Sequence, residues 1–88
     1  MKKNLKEKIV RIMDAPREIL LGEPKITMFG DNELLIENYK SVLEYNDEFL
    51  RIKLKGKDIC ITGKAFELGE MTDESVRLTG EIAGVEFL

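Results

Sequence analysis

The side chains of this sequence that could do chemistry are carboxylates, one thiol and a cationic stripe, and histidine is absent. Its absence removes the commonest general base and metal ligand near neutral pH and leaves no Ser–His or Cys–His pair to make a nucleophile. Carboxylates can pair as acid and base or gather around a hard cation. The nearest pairs, Asp47/Glu48, Glu67/Glu70 and Asp73/Glu74, fall in predicted turns or on solvent faces, without the spacing of a calcium loop. Cys60 is the single cysteine, so it has no partner for an internal disulfide and no second thiol at zinc spacing. It alternates with Ile59 and Ile61, as a small side chain on a half-buried strand face does. There is no phosphate loop; the glycines at 56, 63, 69, 80 and 84 separate apolar runs and read as turn residues. The expectation is a non-enzymatic chain with no catalytic residue, metal or cofactor.

Two cationic features remain. Arg51, Lys53 and Lys55 alternate along one apolar run and could face a phosphate backbone. Single-stranded nucleic acid would also need aromatic platforms between them, and none is present. Acidic neighbours such as Glu44 or Glu37 would turn the stripe into cross-strand pairing, the favoured reading. The second feature is N-terminal. Lys2, Lys3, Lys6, Lys8 and Arg11 stand against Glu7 alone, leaving nine basic and sixteen acidic side chains for the rest. That body repels nucleic acid and anionic lipid, while the first segment attracts them.

The elements that must position these residues follow from periodicity. Leu5, Ile9, Ile12 and Met13 lie on one helical stripe, so residues 1–22 read as a short amphipathic helical segment interrupted at Asp14-Ala15-Pro16. Gly22 ends it, and Glu23-Pro24 forces extended backbone. From Lys25 the period is two. Strands are expected at 25–29, 33–38, 41–45, 49–55, 59–62, 65–68, 74–79 and 81–88, with turn signals about every 7–10 residues. The fold class is mainly β: an antiparallel β-meander closing as a small sandwich or partly open barrel, with a short β-solenoid writing a similar pattern. At 88 residues the chain holds one domain, a 1–22 helical segment followed by a 23–88 β domain. No apolar run reaches the roughly 18–20 residues of a membrane span, and no signal peptide is evident, so the chain is expected to stay in the compartment where it is made.

Two runs carry a family resemblance. Pro24-Lys25-Ile26-Thr27-Met28-Phe29-Gly30 and Leu34-Leu35-Ile36-Glu37-Asn38-Tyr39-Lys40 resemble the opening signature of the YabP/YqfC sporulation proteins. There a Pro-x-Ile-Thr-Met-x-Gly strand precedes an Ile-Glu-Asn-His-Lys-Gly segment. The likeness extends through Leu50-Arg51-Ile52, the stretch from Gly56 to Gly63, and Val76 to Ile82 with Gly80 at its centre, covering about residues 16–87. Tyr39 replaces the family His and Ser41 the family Gly.

The resemblance implies a non-enzymatic role in endospore formation, in building the spore envelope or coat, with no cofactor. It implies a cytoplasmic location in the mother cell, peripheral at the forespore membrane. The implied partner is another sporulation protein, a YqfD-like membrane protein being one such case, and sheet edges offer a route to homo-oligomers. The alternative readings are a small β-domain that binds nucleic acid or a ligand, and a membrane-surface adaptor making weak contact through Lys2, Lys3, Lys6, Lys8 and Arg11 of the basic N-terminal helix. Pro24, Ile26, Thr27, Met28, Gly30, Ile36, Glu37, Asn38, Gly56, Gly63 and Gly80 are expected to define the fold rather than do chemistry.

Overall fold

The computed structural model describes residues 22–88. The expected helical segment, with Lys2, Lys3, Lys6, Lys8 and Arg11, lies outside the described residues except for Gly22. Six strands follow: β1 (Lys25–Phe29), β2 (Glu33–Glu37), β3 (Ser41–Asn46), β4 (Phe49–Lys53), β5 (Asp58–Met71) and β6 (Ser75–Phe87). They form one open antiparallel sheet in the order β1-β2-β6-β5-β4-β3. Every pairing is antiparallel, which rules out a solenoid.

The order departs from a simple meander. Strands β3 to β6 do run as one, but the β1–β2 hairpin attaches to β6 instead of β3. The reason lies in β5 and β6, each expected as two short strands divided at Gly63 or Gly80 and each found as one long strand. β4 occupies the outer side of β5 only over Asp58–Thr62, and β2 occupies the outer side of β6 only over Ser75–Thr79. The long hairpin thus carries one short hairpin at each end, on opposite sides. Gly63 and Gly80 are not turns; they sit where the hairpin bends.

That bend is demanded by the chain. A flat sheet would set β2 and β3 about 19 Å apart, four strand spacings. The link from Glu37 to Ser41 spans at most about 14 Å when fully stretched. The sheet therefore folds over, and register shifts between Thr62 and Gly63 and between Lys64 and Glu67 accommodate the fold. At the crease Gly80 has φ +142°, and a Cβ there would lie 2.7 Å from the Phe66 ring and 2.8 Å from the Ala65 carbonyl. A Cβ on Gly63 would lie 1.9 Å from the Glu81 carbonyl oxygen. Only glycine fits at either point. Phe66, buried, fills the space both leave.

Folding over buries alternate residues of both halves on one core. Leu34 and Ile36 on β2 with Val76 and Leu78 on β6 come from one half; Leu50 and Ile52 on β4 with Ile59 and Ile61 on β5 come from the other. Ile26, Tyr39, Val42, Leu68 and Ile82 pack around them. No polar or charged residue is buried among the described residues.

Candidate functional site

The family-type motif residues sit where the halves are tied together. Pro24 leads into β1, Ile26 packs on the core, and Thr27 pairs with Leu35. Asn38 takes a left-handed backbone, φ 62°, which asparagine tolerates better than most residues. Its side-chain amide donates to the Glu23 carbonyl (2.9 Å), and its backbone N–H donates to the Glu74 carbonyl (2.7 Å). One residue thereby joins the start of β1, the end of β2 and the β5–β6 turn. Glu37 precedes it, paired with Lys25 and Ser75. Tyr39, at the family His position, donates its hydroxyl to the Thr72 carbonyl (2.8 Å). Gly30 and Gly56 have φ +60° and +80° in the β1–β2 and β4–β5 turns.

The residues with chemical potential do not converge. Arg51 donates to Asp58 through Nη2 (2.8 Å) and Nε (3.1 Å), a hydrogen bond that raises the guanidinium above its ordinary value. Its head is therefore held, as the cross-strand reading expected, although the acceptor is Asp58 on β5. Glu44 stands opposite Arg51 in register, whereas Glu37 lies on β2. Lys53 and Lys55 are exposed. Cys60 is buried beside Arg51 in register. Asp47, Glu48, Glu67, Glu70, Asp73 and Glu74 are all exposed, and among the described residues no three metal-ligating side chains gather. A shallow groove of about 560 Å³ runs over Pro24, Ile26, Leu54 and Phe87, with Lys57 Nζ 5.6 Å from the Phe87 ring centre.

The more informative surface is an edge. The two short hairpins are used in nearly equivalent ways. In the β3–β4 turn, the Glu48 and Asp47 carbonyls accept from Gly63 N–H (3.0 Å) and Phe66 N–H (2.8 Å) on β5. In the β1–β2 turn, the Asn32 and Asp31 carbonyls accept from Gly80 N–H (3.1 Å) and Ile82 N–H (2.8 Å) on β6. Beyond those contacts the equivalence ends. Tyr45, opposite buried Leu50, donates its hydroxyl to the Phe66 carbonyl (3.1 Å) and accepts from Leu68 N–H (3.2 Å), closing the outer edge of β5. In the other hairpin the residue opposite buried Leu34 is Met28, which has no hydroxyl.

Among the described residues, the outer edge of β6 beyond Ile82 therefore has no partner. Leu88 and Asp58 exchange both backbone hydrogen bonds, at 2.9 and 3.3 Å. By strand alternation Glu86 and Gly84 also turn their backbone groups toward β5, while Val85 and Phe87 turn theirs away. No described residue pairs with that side. Val85 and Phe87 are 38% and 53% exposed, and Leu88 is 56% exposed. An apolar strand with an unsatisfied backbone edge is equipped to bind another strand. Sequence reading raised sheet edges in general but had no means of choosing this one, because Tyr45's hydroxyl bonds span more than twenty residues.

Comparison with known proteins agrees with the motif. Across 87 residues the chain is 29% identical to the uncharacterized protein YqfC of Bacillus subtilis (strain 168), covering 99% of this chain and 94% of that one. No solved structure matches it. The YabP family profile matches residues 21–88, which takes in all six strands, both hinge glycines and the Asn38 tie, and the chain belongs to the YabP family.

Proposed function

We propose that this chain is a non-enzymatic structural or assembly protein of endospore formation, acting in morphogenesis of the spore envelope or coat. Membership of the YabP family across residues 21–88 carries the reading. The resemblance of the motif to sporulation proteins supports placing the chain in the mother cell and in the building of the spore's outer layers. The geometry is compatible with binding rather than turnover: the described interior is wholly apolar, and the open strand edge of β6 is a surface suited to another protein. Its place of action is the mother-cell cytoplasm, peripheral to the forespore membrane. A YqfD-like membrane protein is one candidate partner, with Lys2, Lys3, Lys6, Lys8 and Arg11 adding attraction to an anionic surface.

The test is a fluorescently tagged copy expressed from its own promoter through growth and sporulation. The expected result is signal confined to the mother cell and concentrated as a shell around the forespore. Uniform signal in vegetative cells would remove the link to sporulation.

A further inference from the structure

Where Tyr45 caps the edge of β5, Met28 leaves the outer edge of β6 without an equivalent lock among the described residues, and the sequence of that edge indicates what fits there. We infer that the outer edge of β6, Ala83–Phe87, pairs antiparallel with the same edge of a second copy, about a twofold axis through Val85. This names a partner for the assembly reading and rests on it for biological sense, though not for its test.

Backbone direction comes first. Val85 and Phe87 present N–H and C=O outward, so Val85 can exchange both bonds with Val85 of the second copy, and Phe87 can reach Ala83 of that copy. Side chains come second. In this register the exposed Phe87 lies over Ala83, Leu88 lies over Ile82, and the two Val85 side chains meet. Charge comes third and selects the register. Glu86 falls opposite Gly84, so no like charges face each other. Moving the axis by one residue sets Glu86 against its own copy or Phe87 against Glu81, and either costs stability. A second copy therefore satisfies the edge in donors, apolar surface and charge together. The contact joins β3-β4-β5-β6 of one copy to the same four strands of the other. A pairing confined to Ala83–Phe87 is small beside the roughly 800 Å² per partner of a stable interface, so the expected dimer is reversible and forms where the protein is concentrated.

Light scattering on the purified full chain reads the proposal. The molar mass should climb from 10.1 kDa toward twice that as concentration rises. It should climb further at about 0.5 M salt, because both copies carry net charge −3 and repel when unscreened. Val85→Pro removes only an outward-facing N–H and should hold the chain at 10.1 kDa while circular dichroism stays unchanged. Should proline disturb the fold, cysteine placement decides. In a Cys60→Ser background, Val85→Cys should oxidise to a covalent dimer at least about tenfold faster than Glu86→Cys, since exchange-paired Cα atoms lie about 5.5 Å apart, within disulfide reach. Equal rates at the two positions, or association that survives Val85→Pro in a folded chain, would overturn the proposal. A mass fixed at 10.1 kDa at every concentration would do the same and would assign the edge to a different protein. If that result came with a tagged shell around the forespore, the assembly reading would survive without the dimer. Val85-dependent dimers of a protein absent from the forespore would give the reverse.

Discussion

At the scale of single residues, two side chains carry more of the architecture than their exposure suggests. Asn38 combines a left-handed backbone with a side-chain bond to Glu23, so its loss is felt twice. Asn38→Ala should destabilise by about 2–3 kcal/mol, from backbone strain plus a lost hydrogen bond. Asn38→Gly keeps the backbone and loses the side-chain bonding, costing about 1 kcal/mol. Urea titration of the pair checks this, and equal losses would mean that the backbone conformation carries no cost. Tyr45→Phe removes one donor and one acceptor from the β5 edge and should cost about 1–2 kcal/mol. It should also expose the edge of β5 beside Phe66 and Leu68 and increase association in light scattering. A variant as stable as the parent would show that the hydroxyl bonds merely replace bonds to water. Neither role could be read from the sequence in full. The Glu-Asn pair marks a turn, but the identity of its acceptor depends on a fold that returns β1 to the end of β2.

At the scale of elements, the molecule turns on the bend in the β5–β6 hairpin. Gly80→Ala would force a side chain into positive φ and against backbone atoms that cannot yield. A loss of at least about 3 kcal/mol is expected, enough to leave many domains of this size largely unfolded. Gly30→Ala is the control, because its φ is also positive but nothing lies within 4 Å of the added carbon. It should cost about 1 kcal/mol. Thermal melts that shift equally for both would sink the hinge account. Phe66, packed against both glycines, should cost about 3–5 kcal/mol when cut to alanine. The short strands were legible because alternation of Leu34 with Ile36 and of Leu50 with Ile52 is local, and β1 falls at 25–29 as expected. The long strands were not. Glycine signals a turn and a bent strand with the same letter, so Gly63 and Gly80 appeared to divide what they instead crease. The order of the sheet was hidden for a related reason: choosing β6 for β2 depends on a strand long enough to offer two sides, which no local pattern records.

At the scale of the whole molecule, one hairpin serves both halves, and this fixes how the protein must unfold. Neither the β1–β2 nor the β3–β4 hairpin has a complete apolar partner of its own. Leu34 and Ile36 need Val76 and Leu78 from β6, just as Leu50 and Ile52 need Ile59 and Ile61 from β5. An isolated two-stranded hairpin is marginal in water, so losing the bend should release both ends together. Leu34→Ala and Leu50→Ala, one in each half, should therefore each cost about 2–5 kcal/mol within a single transition. The sequence has no tryptophan, and Tyr39 and Tyr45 sit on opposite sides of the molecule's order, one after β2 and one in β3. Tyrosine emission and far-ultraviolet circular dichroism should give one midpoint in urea for the parent and for each variant. Two separated transitions, with Leu34→Ala moving one and Leu50→Ala the other, would mean that the halves are independent and that the crease is a linker. A shared midpoint would mean that the open edge of β6 is displayed by a body that holds or fails as a unit.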